Sequence, residues 1–151
     1  MTANLYNSAL AIATRIAMIL NARPHISRTE REITAIDLLT TNAAQFGLYP
    51  VNLHGDTVYI ATEFAARTSH ITKGIRYAVT HGLVTAAKDA TGIHYTISDT
   101  GTHFVSSLEN QYVTDYQRAL NPVLAYVDSR PLREVLRRIE HQGIDTIEEK
   151  P

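Results

Sequence analysis

The sequence contains no cysteine among its 151 residues, which excludes disulfides, zinc ribbons, iron–sulfur clusters and cysteine nucleophiles. It also has almost no net charge, because 14 Lys and Arg stand against 15 Asp and Glu. That balance argues against a highly basic, histone-like DNA coat and leaves room for a local basic patch. The hydrophobic content of 44% is typical of a globular protein. We therefore expect a single domain over residues 1–151 that needs no disulfide or metal to fold.

The usual catalytic motifs are missing too. The sequence has no G-x-x-x-x-G-K-[ST] phosphate-binding loop and no G-x-S-x-G nucleophile turn. No histidine pair has the H-x-x-x-H spacing of a zinc site, so the seven histidines are expected to serve packing or the surface. These are His25, His54, His70, His81, His94, His103 and His141. We expect a protein that is not an enzyme and that binds no cofactor and no metal.

Targeting and membrane signals are not visible either. The first twenty residues are largely apolar, but no basic segment precedes them and no cleavage site follows. Arg15 interrupts this apolar run, which falls short of the roughly 20 residues that a membrane span needs. We expect a cytoplasmic protein with no membrane partner.

Two amphipathic helices are predicted in the first third of the chain. Apolar residues spaced three and four apart predict a helix over 5–20, on the core or against a partner chain. Ser27 and Glu30 form a possible capping box, with Thr29 as a rival cap, and the following helix should reach about Gln45. Acidic residues near its start interact favourably with the positive end of the helix dipole, so their presence there has a structural explanation.

The middle of the chain predicts helices followed by a hairpin. Residues 46–58 form a loop, and 58–60 could be a short edge strand. Residues 62–81 are expected as two helices with a turn near Thr68–Ser69, ended by Gly82 in a left-handed conformation. A strand begins at Leu83–Val84–Thr85, turns over 88–92, and returns with alternating polarity over 93–97.

The last third is predicted to be helical. A helix capped by Ser98 or Asp99 should run to about Leu120, with a break or kink at Asn121–Pro122. Ser129 and Pro131 should start a final helix that ends at Gly143 before an acidic tail.

This order of elements is typical of a winged helix. The predicted fold is mainly α with a small β-wing, in which a winged-helix core over 27–100 carries N- and C-terminal helical extensions. The extensions are an N-terminal helix over 5–26 and C-terminal helices over 101–143, followed by a tail over 144–151. Winged helices serve both DNA reading and protein docking, so the fold alone does not choose between them.

Residues 4–128 resemble a known family. The resemblance rests on Leu5-Tyr6-Asn7-Ser8-Ala9, on Gly92-Ile93-His94-Tyr95, and on the helix Phe104–Tyr112 followed by Ala119-Leu120. The pattern is similar to the middle component of bacterial three-component ABC-ATPase systems, the small accessory subunits of SMC-like antiphage machines such as Lamassu. The arginine-rich segment 130–141 departs from it.

The resemblance implies a non-enzymatic accessory subunit of an antiphage or anti-plasmid defence complex. Its partners would be an SMC-type ATPase and an effector subunit, often a nuclease, with DNA reached through the complex. The alternative is a winged-helix transcriptional regulator that binds DNA. Gene neighbourhood would separate the two readings.

Two groups of residues are candidates for binding. Basic side chains of the predicted recognition helix and wing could contact DNA phosphates, or could simply form a solvated polar face. These are Arg67, Lys73, Arg76 and Lys88. Aromatic residues and arginines of the C-terminal helices could anchor a protein partner, or could close over the core. These are Tyr112, Tyr116, Arg133 and Arg137.

Overall fold

The computed structural model describes residues 6–55 and 59–148, and only the backbone of residues 143–148. Its helices are α1 (Ala9–Ala22), α2 (Glu30–Thr41), α3 (Ile60–Thr80), α4 (Asp99–Ser106), α5 (Gln111–Asp128) and α6 (Leu132–Glu148), with a 3-10 turn at Ala43–Phe46. Two antiparallel strands, β1 (Val84–Asp89) and β2 (Gly92–Ile97), form a hairpin that we call the wing. The prediction of a mainly α fold with a small β element is confirmed.

Helix α1 lies in the core and packs mainly on α3. Its stripe residues Ile12, Ile16 and Ile19 are fully buried, as expected for the core alternative. A Cβ at Gly74 of α3 would overlap the side chain of Ile12, so a residue without a side chain is what lets the two helices approach so closely. Leu5, the first stripe residue of the sequence prediction, lies outside the described residues.

Helix α2 begins two residues later than the predicted Ser27 box. The Thr29 hydroxyl accepts from the Glu32 amide at 3.2 Å, and the Glu32 carboxylate accepts from the Thr29 amide at 3.1 Å. Thr29 is therefore the N-cap of α2. Arg28 pairs with the wing through its amide, which donates to the Tyr95 carbonyl at 3.0 Å, so the helix begins after it. The helix ends at Thr41, short of the predicted Gln45.

Helix α3 is one continuous helix of 21 residues, so the predicted turn at Thr68–Ser69 is wrong. The hydroxyls of Thr68 and Thr72 donate to the carbonyls four residues earlier at 3.1 and 3.0 Å, which satisfies them without leaving the helix. The predicted edge strand is also wrong at Ile60, which is the first, fully buried residue of α3. Residues 56–58 lie outside the described part of the chain.

The wing follows α3 through Gly82, whose φ of 72° is the predicted left-handed conformation. Pairing runs from Val84↔Ile97 to Asp89↔Gly92, so the hairpin loop is only two residues long. The backbone pair between Arg28 and Tyr95 attaches the segment before α2 to β2. The predicted hairpin is confirmed.

The predicted long helix from 99 to 120 is two helices. Ser98 caps α4 by accepting from the Gly101 amide at 2.9 Å, and Asn110 caps α5 by accepting from the Val113 amide at 2.9 Å. Helix α5 then continues through Pro122 to Asp128, so of the predicted break or kink at Asn121–Pro122 the break is wrong. Packing explains the difference, because the side chains around the proline are buried and outweigh its poor helix propensity.

Helix α6 begins at Leu132, after Pro131. Ser129 does not cap it, since its hydroxyl donates to the Tyr126 carbonyl at 3.0 Å and closes α5 instead. Val135 and Ile139 of the predicted stripe are buried. The helix passes Gly143, its predicted end, and reaches Glu148; residues 149–151 lie outside the described part. No helix among the described residues is long and apolar enough to cross a membrane.

Candidate partner-binding surfaces

A buried ionic network joins four helices around Asp37. This fully buried carboxylate accepts from Arg15 Nε at 2.9 Å, from Arg67 Nη1 at 2.9 Å and from the Tyr116 hydroxyl at 2.6 Å. Burial alone would raise the pKa of Asp37, but the charges of Arg15 and Arg67 outweigh it and hold that pKa well below its usual range. The network is therefore charged, and its role in the fold is structural.

Arg67 belongs to this network, which corrects its assignment as a DNA contact. The residue is 4% exposed. Its guanidinium also donates to Thr41 Oγ at 3.1 Å and to Glu63 at 2.8 Å. A guanidinium that is held by two carboxylates inside the protein is not available to a phosphate.

Tyr116 is a core residue as well, which corrects its assignment as a partner contact. Its side chain is 0% exposed, and its hydroxyl donates to Asp37. Burial and the neighbouring carboxylate raise the pKa of Tyr116 well above its ordinary value. A partner protein could reach this ring only after the domain opened.

Tyr112 is half-buried in an aromatic stack. The rings of Tyr6 and His54 lie 3.9 Å apart, and the Tyr112 hydroxyl lies 2.5 Å from His54 Nε2. Burial, followed by the charge of Arg15, lowers the pKa of His54 to about 3, so the imidazole is neutral near pH 7 and can accept from that hydroxyl. Tyr112 thus fixes the loop after α2 and offers a partner only part of its ring.

The three remaining DNA candidates are exposed but sparse. Lys73 and Arg76 project from α3, and Lys88 lies on β1 beside Asp89. The groove between α3 and the wing, of about 370 Å³, is lined by more apolar than charged side chains. Val79 and Ile93 are 39% and 47% exposed along it. Few phosphates could be neutralised on this side.

The arginines of the C-terminal segment form a different kind of surface. A cleft of about 350 Å³ runs along α6, and we call it the arginine cleft. Its lining residues are Tyr126, Arg130, Glu134, Arg137, Arg138, His141 and Gln142. Residues 130–142 carry four arginines against two glutamates, in a chain whose net charge is −1. This stretch therefore concentrates positive charge that the rest of the chain does not have.

The side chains of the arginine cleft are held to different degrees. The guanidinium of Arg130 lies 3.8 Å from the centre of the Tyr126 ring. Arg138 lies 5.4 Å from the same ring and donates to the Phe46 carbonyl at 2.6 Å. Within the described residues, the exposed candidates Arg133 and Arg137 have no hydrogen-bond or ion-pair partner. Their exposure lets another molecule reach them.

Two members of this cleft, Arg130 and Arg138, are not among the residues that the sequence predicted to bind a partner. The signal for Arg138 is its spacing, because Glu134 and His141 lie four and three residues from it and so share its face of α6. Arg130 precedes this helix and carries no such signal. Asp37 is not among the sequence-predicted site residues either, although its position inside the apolar stripe of α2 indicates a buried charge that needs a partner.

A Thr–His–Asp group at the wing tip has no catalytic geometry. Thr91 Oγ lies 2.6 Å from Asp89 Oδ1 and 2.8 Å from His94 Nε2. Asp89 also faces that same imidazole nitrogen, at 3.5 Å, whereas a catalytic triad places the acid on the other nitrogen. The group braces the hairpin turn. The described residues contain no cluster of three or more His, Asp or Glu that could hold a metal ion.

The fold and these surfaces describe a small helical protein with a β-wing and an exposed arginine cleft. A family model described as ABC-three component (ABC-3C) system Middle Component 2 matches residues 5–149. The chain belongs to this family, which confirms the resemblance to the middle components of three-component ABC systems. It is accordingly an accessory part of a multi-component system. No match was found among curated proteins or among solved structures.

Proposed function

We propose that this protein is a non-enzymatic accessory subunit that binds an SMC-like ATPase and an effector, a nuclease, in a cytoplasmic antiphage or anti-plasmid defence complex. The family description supports a role inside an ABC-type system. The sequence has no phosphate-binding loop of its own, so the ATPase of the system would be a partner chain.

The observation that carries the proposal is where the free cations lie. The side of α3 and the wing that would face DNA offers Lys73, Arg76 and Lys88, interspersed with small and apolar side chains. The arginine cleft on α6 combines several arginines with an aromatic ring, which is the composition of protein interfaces. This distribution favours docking to proteins over reading DNA.

The order of elements supports a winged-helix core. Helices α1, α2 and α3 precede the wing, and the Arg28–Tyr95 bridge adds a short third pairing to it. A long connection separates α2 from α3 where a helix–turn–helix has a tight turn. We infer that the core is a winged helix adapted to docking.

The alternative is a winged-helix transcriptional regulator. The exposure of Lys73, Arg76 and Lys88 favours it. Three phosphate contacts would give a slope of log affinity against log salt of about −3, which predicts weak binding at physiological salt. Tight, sequence-selective gel shifts that disappear with Lys73→Ala combined with Arg76→Ala would support the regulator.

Co-purification tests the proposal. The chain is co-expressed with the products of its neighbouring genes, and the complex is isolated through a tag on this chain. Arg133→Glu with Arg137→Glu should abolish recovery of the ATPase, because these arginines are exposed and bond to none of the residues that the structure describes. The matched control, Lys73→Glu with Arg76→Glu, reverses as much charge on the other side and should leave recovery unchanged. The opposite pattern, or no complex at all, contradicts the proposal.

The absence of enzymatic activity is tested on the purified chain. It should neither hydrolyse ATP nor cut DNA. Turnover that follows the chain through several columns and disappears with a point mutation in it would contradict this part of the proposal.

A further inference from the structure

We propose that the arginine cleft binds an acidic segment of the partner protein, whose carboxylates pair with Arg130, Arg137 and Arg138. This inference rests on the proposed function, since it states the chemistry of the partner. It commits to a protein ligand with discrete carboxylates rather than to a nucleic acid.

The first argument is the fixed orientation of two arginines. Arg130 is stacked on Tyr126, and Arg138 is tied to the Phe46 carbonyl. Each guanidinium has five N–H donors in a planar fork, so Arg138 retains donors after that bond. A planar fork that is already oriented matches a carboxylate in bidentate geometry and loses little side-chain entropy on binding.

The second argument is the acid within the cleft. Glu134 lies among the arginines that line the cleft, one helical turn before Arg138. A continuous phosphate backbone would bring a regular row of negative charges past this carboxylate. An acidic protein segment can place its carboxylates at the arginines and a neutral or hydrogen-bonding side chain at Glu134. The mixed charge of the lining therefore favours a peptide.

The third argument is the size of the cleft and its exposure. Its volume of about 350 Å³ is in the range of pockets that hold several side-chain-sized groups. Arg137 is exposed and has no partner within the described residues, so its guanidinium needs no internal bond to break before binding. Rim charges such as these also speed association with a partner of opposite charge.

Zero-length cross-linking in the co-purified complex is the decisive experiment. Arg137→Lys keeps the charge and supplies an amine that a water-soluble carbodiimide couples to a carboxylate in direct contact, with loss of water. Mass spectrometry should then find position 137 joined to an Asp or Glu of a partner chain. The matched control is Arg118→Lys on the exposed face of α5, outside the cleft, which should give no such product.

Affinity supplies a second measurement. Arg130→Gln with Arg137→Gln should weaken binding of the partner at least tenfold, whereas Glu134→Gln should tighten it severalfold by removing a repulsive charge. Circular dichroism monitors folding, and the charge-conserving Arg137→Lys variant decides the question if the double variant does not fold.

Three other results would contradict either the acidic segment or the proposed function. A complex that forms normally but gives no cross-link above the Arg118→Lys control contradicts the acidic segment and leaves the proposed function standing. Ultraviolet cross-linking of a 4-thiothymidine oligonucleotide to the cleft, lost with Arg130→Gln and Arg137→Gln, would show a nucleic-acid surface instead. Failure of the unmodified chain to form any complex overturns the proposed function itself.

Discussion

Asp37→Asn removes the carboxylate that Arg15 and Arg67 share and leaves the shape of the side chain nearly unchanged. The two guanidiniums, whose side chains are 1% and 5% exposed, would then keep their charges in the core without the central counter-charge. Removing one partner of a buried ion pair costs about 3–5 kcal/mol. Since whole domains are stable by about 5–15 kcal/mol, the variant should lose a large fraction of its stability.

Urea unfolding followed by circular dichroism measures this loss. A loss of that size should lower the thermal midpoint by about 6–20 °C for a chain of this length. Asp115→Asn is the matched control, because it makes the same chemical change on the outer side of α5, and it should change stability by less than about 0.5 kcal/mol. Adding Arg15→Met to the core variant should recover part of the loss, since one unpaired charge disappears. A loss below about 1 kcal/mol, or one equal to that of the control, would refute the reasoning.

Three further perturbations follow from the same structure. The pKa of His54 is lowered to about 3 in the folded protein, so unfolding takes up a proton at any pH between about 6.5 and 3. The free energy of unfolding should therefore fall as the pH is lowered through this range, by at most about 1.4 kcal/mol per pH unit, and His54→Gln should flatten that slope in urea titrations. Gly74→Ala should cost about 1–3 kcal/mol in thermal melts, because its Cβ would overlap Ile12, and an unchanged midpoint would contradict the close approach of α1 and α3. Pro122→Ala should stabilise the chain by about 1–3 kcal/mol in the same melts by restoring a backbone donor inside α5, and a lower midpoint would contradict this expectation.

Hydrophobic periodicity predicted the type of an element well where neighbouring residues alone determine it. The stripes of α1 and α6 gave the correct type of element and the correct buried face. The alternation of β2 gave the correct type of element but not its buried face, because Ile93 is 47% exposed. Helix ends were less predictable. Ser27 and Thr29 both have a glutamate three residues later, and only the pairing of Arg28 with the distant strand β2 decides which of them is the cap.

The predicted binding roles were wrong for residues whose polar group has a partner far away in the sequence. Arg67 resembles a surface cation in sequence, and its carboxylate Asp37 lies 30 residues earlier on another helix. Tyr116 has the spacing of a helix face, but its hydroxyl donates to Asp37, which lies 79 residues earlier. By contrast, Arg133 and Arg137 are exposed, and neither has a partner in the part of the chain that the structure describes.

The network around Asp37 also sets when the chain can finish folding during synthesis. Arg15, Asp37 and Arg67 leave the ribosome in that order, so a nascent chain of about half length already holds three of the four groups. The Tyr116 hydroxyl arrives last and satisfies the same carboxylate oxygen that accepts from Arg15. Before that, the apolar faces of α1 to α3 lack the helix that covers them. We therefore expect the molecule to become a stable domain only after α5 has been translated, and a chain that stops after the wing to be a substrate for chaperones and proteases.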